Sequence, residues 1–338
     1  MSSENCTMLT EEQMLTISVI EVVTACLSLI GAFSILCFSL GRRKACLPEV
    51  FPIFQLSGAD VLASVFMIVG AVLYLSNRTC DIITALTKSF YISTFLLTMT
   101  YAVEALMRMR DRLHRSSAIS MSRGTPLKYI MYAVSWAFPV VVTILLQAFS
   151  QISQNDFNTI GTNTTVSDII GFSCSLCLPV FHYNEDMCWE NRENGMEWHN
   201  AYRLLFLVPL FLVMVVNVIL YIFTYRTFRK SLVSRGLLGY HQRREESHIR
   251  NQAIMYLTVF WICWLPSFVL GIISLVMGQS FEMQTYYWLY ICQAVLAPLH
   301  GFCNCIIYGW KRNGFKQALS ERSTLASTNA GSYLSVSL

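Results

Sequence analysis

The sequence predicts an all-α integral membrane fold, a bundle of seven transmembrane helices followed by a short amphipathic eighth helix, on three observations. Of the 338 residues 54% are apolar and only 13% charged, with a mean hydropathy of +0.49, against about 25% charged in soluble domains. The apolar residues fall in long blocks rather than at amphipathic spacing. Basic residues and glycosylation sequons then alternate between successive connecting segments. A net charge of +4 is too small for a nucleic-acid binder, so none is expected as partner.

A helix needs about 20 mostly apolar residues to cross about 30 Å of hydrocarbon. Residues 1–13 form an expected extracellular N-terminus, and the bundle occupies 14–310. Its first span, Met14–Leu40, is too long for a cleavable signal peptide and has no basic region before it, so it reads as a signal anchor. Pro48–Leu75 is next. Ile82–Met107 is the weakest span, because Lys88 and Glu104 sit near its ends, from where both can reach an interface. Tyr129–Phe149, Leu204–Tyr225, Ala253–Met277 and Met283–Trp310 complete the seven. Residues 311–320 read as an amphipathic helix, with Phe315 and Leu319 on one face. The Ser- and Thr-rich stretch 321–338 reads as a disordered cytoplasmic tail.

All but four of the 24 Lys and Arg residues fall on one side of such a bundle; the exceptions are Arg78, Lys88, Arg192 and Arg203. The positive-inside rule makes the basic side cytoplasmic. The sequons at Asn5, Asn77 and Asn163 all fall on the other side, where glycosylation occurs. The expectation is a multi-pass protein of the plasma membrane, N-terminus outside and C-terminus inside.

Cys6, Cys80, Cys174, Cys177 and Cys188 face the oxidising side, where pairing is expected. A bond between Cys80 and Cys188 would pin the long loop over the bundle, and an odd count leaves a free thiol or a second, unassigned bond. Cys174-Ser-Leu-Cys177 is half a zinc site without a second pair, so no metal is expected, nor any cofactor. Among polar residues at bilayer depth, Asp60 stands mid-span and needs a cation, a proton or a strong donor. Asn217, Gln293, His300 and Asn304 read as interhelical hydrogen-bonding groups, and Glu21 as a snorkelling side chain near the outer end of the first span. Pro139, Pro209, Pro266 and Pro298 mark points where spans can bend.

Several motifs occur in order: Leu56-Ser57-Gly58-Ala59-Asp60, Trp136 with Pro139, Pro209, Cys263-Trp264-Leu265-Pro266 and Asn304-Cys305-Ile306-Ile307-Tyr308. In that order and spacing they resemble the seven-helix G-protein-coupled receptor superfamily across nearly the whole chain, matching its LxxAD, CWxP and NPxxY elements with the last proline replaced. The resemblance implies a disulfide between Cys80 and Cys188. The helix-three arginine of the rhodopsin-like group falls at Ala105; Val103-Glu104-Ala105-Leu106 is instead similar to the VEGL stretch of secretin-like receptors. Cys188-Trp189, and Pro298 through Asn304, resemble segments of the secretin and cyclic-AMP-receptor-like groups. The chain is identified as a divergent member between these groups. Cyclic AMP itself does not carry over, because a fold does not bring its ligand with it.

The resemblance implies an orphan-type receptor rather than an enzyme. It would pass the signal of an unknown extracellular ligand to a heterotrimeric G protein by helix rearrangement, with arrestin as a further partner at the phosphorylated tail. Trp264, Pro266 and Tyr308 would form the switch, Asp60 with Asn304 the polar core, and Glu104 with Arg108 or Arg110 the cytoplasmic latch. Ala105 leaves room for a non-signalling scaffold or chaperone. An ion or proton transporter using Asp60, Glu104 and His300 is the third alternative, although no inverted repeat is present.

Overall fold

In a hydrocarbon solvent every backbone polar group must be satisfied within the chain, and the blocks do this as helices. The computed structural model describes residues 9–41, 50–76, 81–114, 125–160, 195–234, 240–277 and 284–309, and among them no strand occurs. The helices are α1 (Glu11–Gly41), α2 (Phe51–Leu75), α3 (Asp81–His114), α4 (Thr125–Ile160), α5 (Gly195–Ser234), α6 (Tyr240–Met277), α7 (Tyr287–Leu296) and α8 (His300–Gly309). The first six are each long and apolar enough to cross a membrane. The last two pass only as a pair, bent by 43°, so the count is six, or seven when the pair is one span. The protein is a multi-pass membrane protein. Its expected amphipathic helix (311–320) and tail (321–338) lie outside the described residues.

α1 starts at a capping motif carried by its own sequence. Thr10 and Gln13 form a reciprocal cap, with the Gln13 N–H donating to Thr10 Oγ1 at 3.3 Å and the Thr10 N–H to Gln13 Oε1 at 3.0 Å. Leu9 and Met14, both buried in one cluster, close it as a hydrophobic staple.

The last span, expected over 283–310 with a bend point at Pro298, is broken there. Pro139, Pro209 and Pro266 all sit inside unbroken helices, whereas Pro298 separates α7 from α8. Proline has no N–H, so the carbonyl four residues back, that of Ala294, loses its helical partner. The Thr24 hydroxyl of α1 reaches that oxygen at 3.0 Å, alongside the Ile20 carbonyl of its own helix at 2.8 Å. A neighbour that satisfies the freed carbonyl lets this break persist.

α3 packs against α2, α4, α5 and α6 and is the axis of the bundle. Phe95, Phe260, Trp264, Leu210 and Met214 fill the centre around it. Outward faces carry apolar side chains such as Ile30, Val141, Phe211 and Ile262, all exposed to the lipid that would surround them. α4 is the least buried of the spans and is tied in by polar pairs: Ser89 Oγ to Thr143 Oγ1 at 2.6 Å, Thr100 with Ser135 at 3.1 Å, and Trp136 Nε1 to Gln55 Oε1 at 2.9 Å. Lipid tails give no hydrophobic drive to dock such a helix, so hydrogen bonds and close packing hold it.

Candidate functional site

Asp60 is 4% exposed, and its carboxylate is the hub of a buried polar cluster. Asn304 Nδ2 donates to Asp60 Oδ2 at 3.1 Å, Thr94 Oγ1 to Oδ1 at 3.4 Å, and His300 Nδ1 lies 3.2 Å from Oδ1. With its proton on Nδ1, His300 donates to the carboxylate, which accepts but cannot donate. Asn304 must then present its amide N–H₂ to Asp60, because a flipped amide would set oxygen against oxygen. Its Oδ1 has no partner among the described residues.

Three helices bring this cluster together. α2 supplies Asp60 and α3 Thr94, while α8 supplies His300 and Asn304 one turn apart. Between the last two lies Gly301, whose missing side chain makes the approach possible. A Cβ there would stand 3.0 Å from Asp60 Cβ and 2.6 Å from Ser28 Oγ. The sequence points to Asp60 and Asn304 as a polar core and to His300 as an interhelical hydrogen-bonding group or part of a proton path, but not to Thr94. The His300-Gly301-x-x-Asn304 spacing was the available signal, whereas Thr94 has none to distinguish it from other span hydroxyls.

Trp264, 2% exposed, is the centre of an aromatic cluster. Its ring centroid lies 4.5 Å from Phe95, 4.9 Å from Tyr91 and 6.2 Å from Phe206, with edge-to-face or tilted geometry. His300 is 6.4 Å away, so one side chain touches both the aromatic and the polar cluster. Pro266 is two residues on in α6, where its ring interrupts the hydrogen-bond ladder. Tyr308 sits apart in a third cluster with Ile35, Ile53 and Tyr256, its ring 6.2 Å from Phe38.

Glu104 is 5% exposed. Burial is compensated by three donors: Arg108 at 2.6 Å, Lys128 at 2.5 Å and the Tyr132 hydroxyl at 2.6 Å. Arg108 lies on the same helix, so the tie between helices is made by Lys128 and Tyr132 of α4, which sequence reasoning did not select. Glu104→Gln is expected to cost about 2 kcal/mol in thermal unfolding of the purified protein. That is below the roughly 3–5 kcal/mol for breaking a fully buried pair, because Arg108 and Lys128 keep 26% and 19% exposure. Lys128→Met should cost less, since Arg108 and Tyr132 remain.

Glu21 departs from its snorkelling expectation. It is 1% exposed, and its Oε2 has no hydrogen-bond partner among the described residues. Cys80, Cys188, Asn5, Asn77 and Asn163 lie outside the described residues, as do Cys6, Cys174, Cys177 and the side chain of Arg110.

The sequence matches the family described as Transmembrane protein 116 over residues 14–332. It is also similar to Cyclic AMP receptor-like protein C of Dictyostelium discoideum, 26% identical over 274 residues. That alignment covers 76% of this chain and 62% of the relative, so the chain spans less than two thirds of that relative's length.

Proposed function

We propose that this chain, which belongs to the Transmembrane protein 116 family, is a G-protein-coupled-receptor-like transducer. It crosses the membrane seven times, with the N-terminus outside and the C-terminus in the cytoplasm, as the basic residues and sequons argue. The similarity to a protein named for a cyclic AMP receptor supports the class, not the ligand.

The observation that carries the reading is the double contact of His300. It lies 6.4 Å from Trp264 on the proline-bearing α6 and 3.2 Å from Asp60 on α2, and it opens α8 directly after the break at Pro298. A change in the bend of α6 moves Trp264, and His300 must then shift against Asp60. A packed core is bistable rather than continuously deformable, so such a shift selects between arrangements. Tyr308 lies two turns further along the same helix and carries the displacement to the other end of the bundle.

The test is a panel of G-protein dissociation sensors in cells, comparing wild type with Asp60→Asn and Trp264→Phe at matched surface expression. The expected result is a constitutive or extract-evoked signal from at least one G protein that Asp60→Asn changes several-fold. Silence across the panel, with no arrestin recruitment, overturns the reading. Ion flux that disappears in Asp60→Asn would assign a transporter instead. One observation favours a non-signalling scaffold as second reading: Ala105 takes the place of the helix-three arginine, and the adjacent Glu104 is held by α4.

A further inference from the structure

A second group of buried polar atoms lies on α1, α6 and α7, apart from the Asp60 cluster and unused by the proposed switch. Glu21, Ser267 and Gln293 line one cavity of about 10 Å³, walled by Trp264, Tyr91 and Phe206. They are 1%, 1% and 6% exposed. Glu21 Oε2, Ser267 Oγ and Gln293 Oε1 all lack a hydrogen-bond partner among the described residues. An unmade hydrogen bond at a buried group costs about 1–3 kcal/mol, more for a charge. Three residues that line one space, each with such an oxygen, are therefore a feature that something must satisfy.

No cation among the described residues pairs with Glu21, so its buried carboxyl is relieved of the cost of an unpaired charge either by a proton or by a bound cation. A single water could bridge the three oxygens but brings no charge. The space has room for about one water-sized group. The donors are two hard acceptor oxygens and a hydroxyl, the set that oxygen-seeking cations take. The same three acceptors match the three N–H donors of a primary ammonium, and the aromatic wall adds attraction for either.

We propose that Glu21, Ser267 and Gln293 form a binding site for a compact monovalent cation, either a sodium ion or the terminal ammonium of a small amine. The site joins α1 to α6 and α7, so occupancy ties these three helices together. This proposal does not depend on the receptor reading; a scaffold would carry the same site.

The experiment is thermal unfolding of the full-length protein in detergent, in chloride salts of matched ionic strength. Choline serves as the reference, because its quaternary head is too large for the space and has no N–H donors. Sodium or methylammonium is expected to raise the unfolding temperature by about 2–4 °C between roughly 1 and 100 mM. A response to sodium alone assigns the inorganic ion, one to methylammonium alone an amine headgroup. Glu21→Gln should abolish the response while Asp60→Asn retains it. Ser267→Ala, a milder change should Glu21→Gln fold poorly, should raise the half-effect concentration several-fold. Equal stability in all three salts overturns the proposal, as does a response that survives Glu21→Gln or is lost only in Asp60→Asn.

Discussion

Trp264→Ala is expected to lower the stability of the bundle by about 3 kcal/mol, the low end of the range for removing a large buried aromatic. The low end applies for a physical reason. A membrane core gains little from transferring an apolar side chain out of lipid, so the loss is mainly that of close-packed contacts and of the cavity left behind. Trp264 packs against Phe95, Tyr91 and Phe206, and Phe260 stacks edge-on against Phe95 from the same helix. None of these can collapse into the space without leaving another. Trp264→Phe keeps an edge for Phe95 and should cost about half as much. Leu265→Ala, at the adjacent but 44% exposed position, should cost under about 1 kcal/mol. Thermal unfolding of the three variants in detergent ranks them; an equal cost at Trp264 and Leu265 would sink the idea of an aromatic hub.

The second large effect is expected at the close approach of α1 and α8. Gly31 faces Phe302, and a Cβ on it would lie 2.9 Å from the Phe302 Cα, a backbone atom that cannot rotate away. Gly301 faces Ser28, Ala32 and Asp60. Ser28 and Ala32, one turn apart, are the small residues that let two membrane helices approach this closely. Gly31→Ala should cost about 1–3 kcal/mol by overpacking, and Gly31→Leu more. Gly301→Ala should add loss of the Asp60 contacts, because His300 and Asn304 move outward with the helix. The internal contrast is Gly41 and Gly309, where a Cβ meets nothing within 4 Å. Each ends its helix without a left-handed backbone angle, so alanine there should be neutral or stabilising by up to about 1 kcal/mol through the lower entropy of its unfolded chain. Yield of monodisperse protein and unfolding temperature read both sets.

Which features were legible follows from the range of the forces behind them. Asp60 was selectable because a lone carboxylate in an apolar block is conspicuous by its cost. Its partners were not, since Thr94 resembles the many other span hydroxyls. Glu104 was placed with Arg108 by proximity in sequence, yet Lys128 and Tyr132, which join it from another helix, carry no mark of that role. Glu21 was misread because depth along a span says nothing about which way the residue faces. Pro298 reads as a bend along with three other prolines, and only the tertiary structure separates it from them as the one of the four that breaks its helix.

The sequence by itself determined that the chain is a multi-pass, helical membrane protein. Hydrocarbon thickness and the need to satisfy every backbone group act on each segment independently, so local composition suffices. The tertiary structure decided how each helix is rotated about its axis, and hence which polar groups meet. Asp60 and Asn304 are 244 residues apart and touch only because Gly31 and Gly301 let α8 sink between α1 and α2. Rotation is set by packing between segments remote in the chain, and that information belongs to pairs of helices rather than to any one of them.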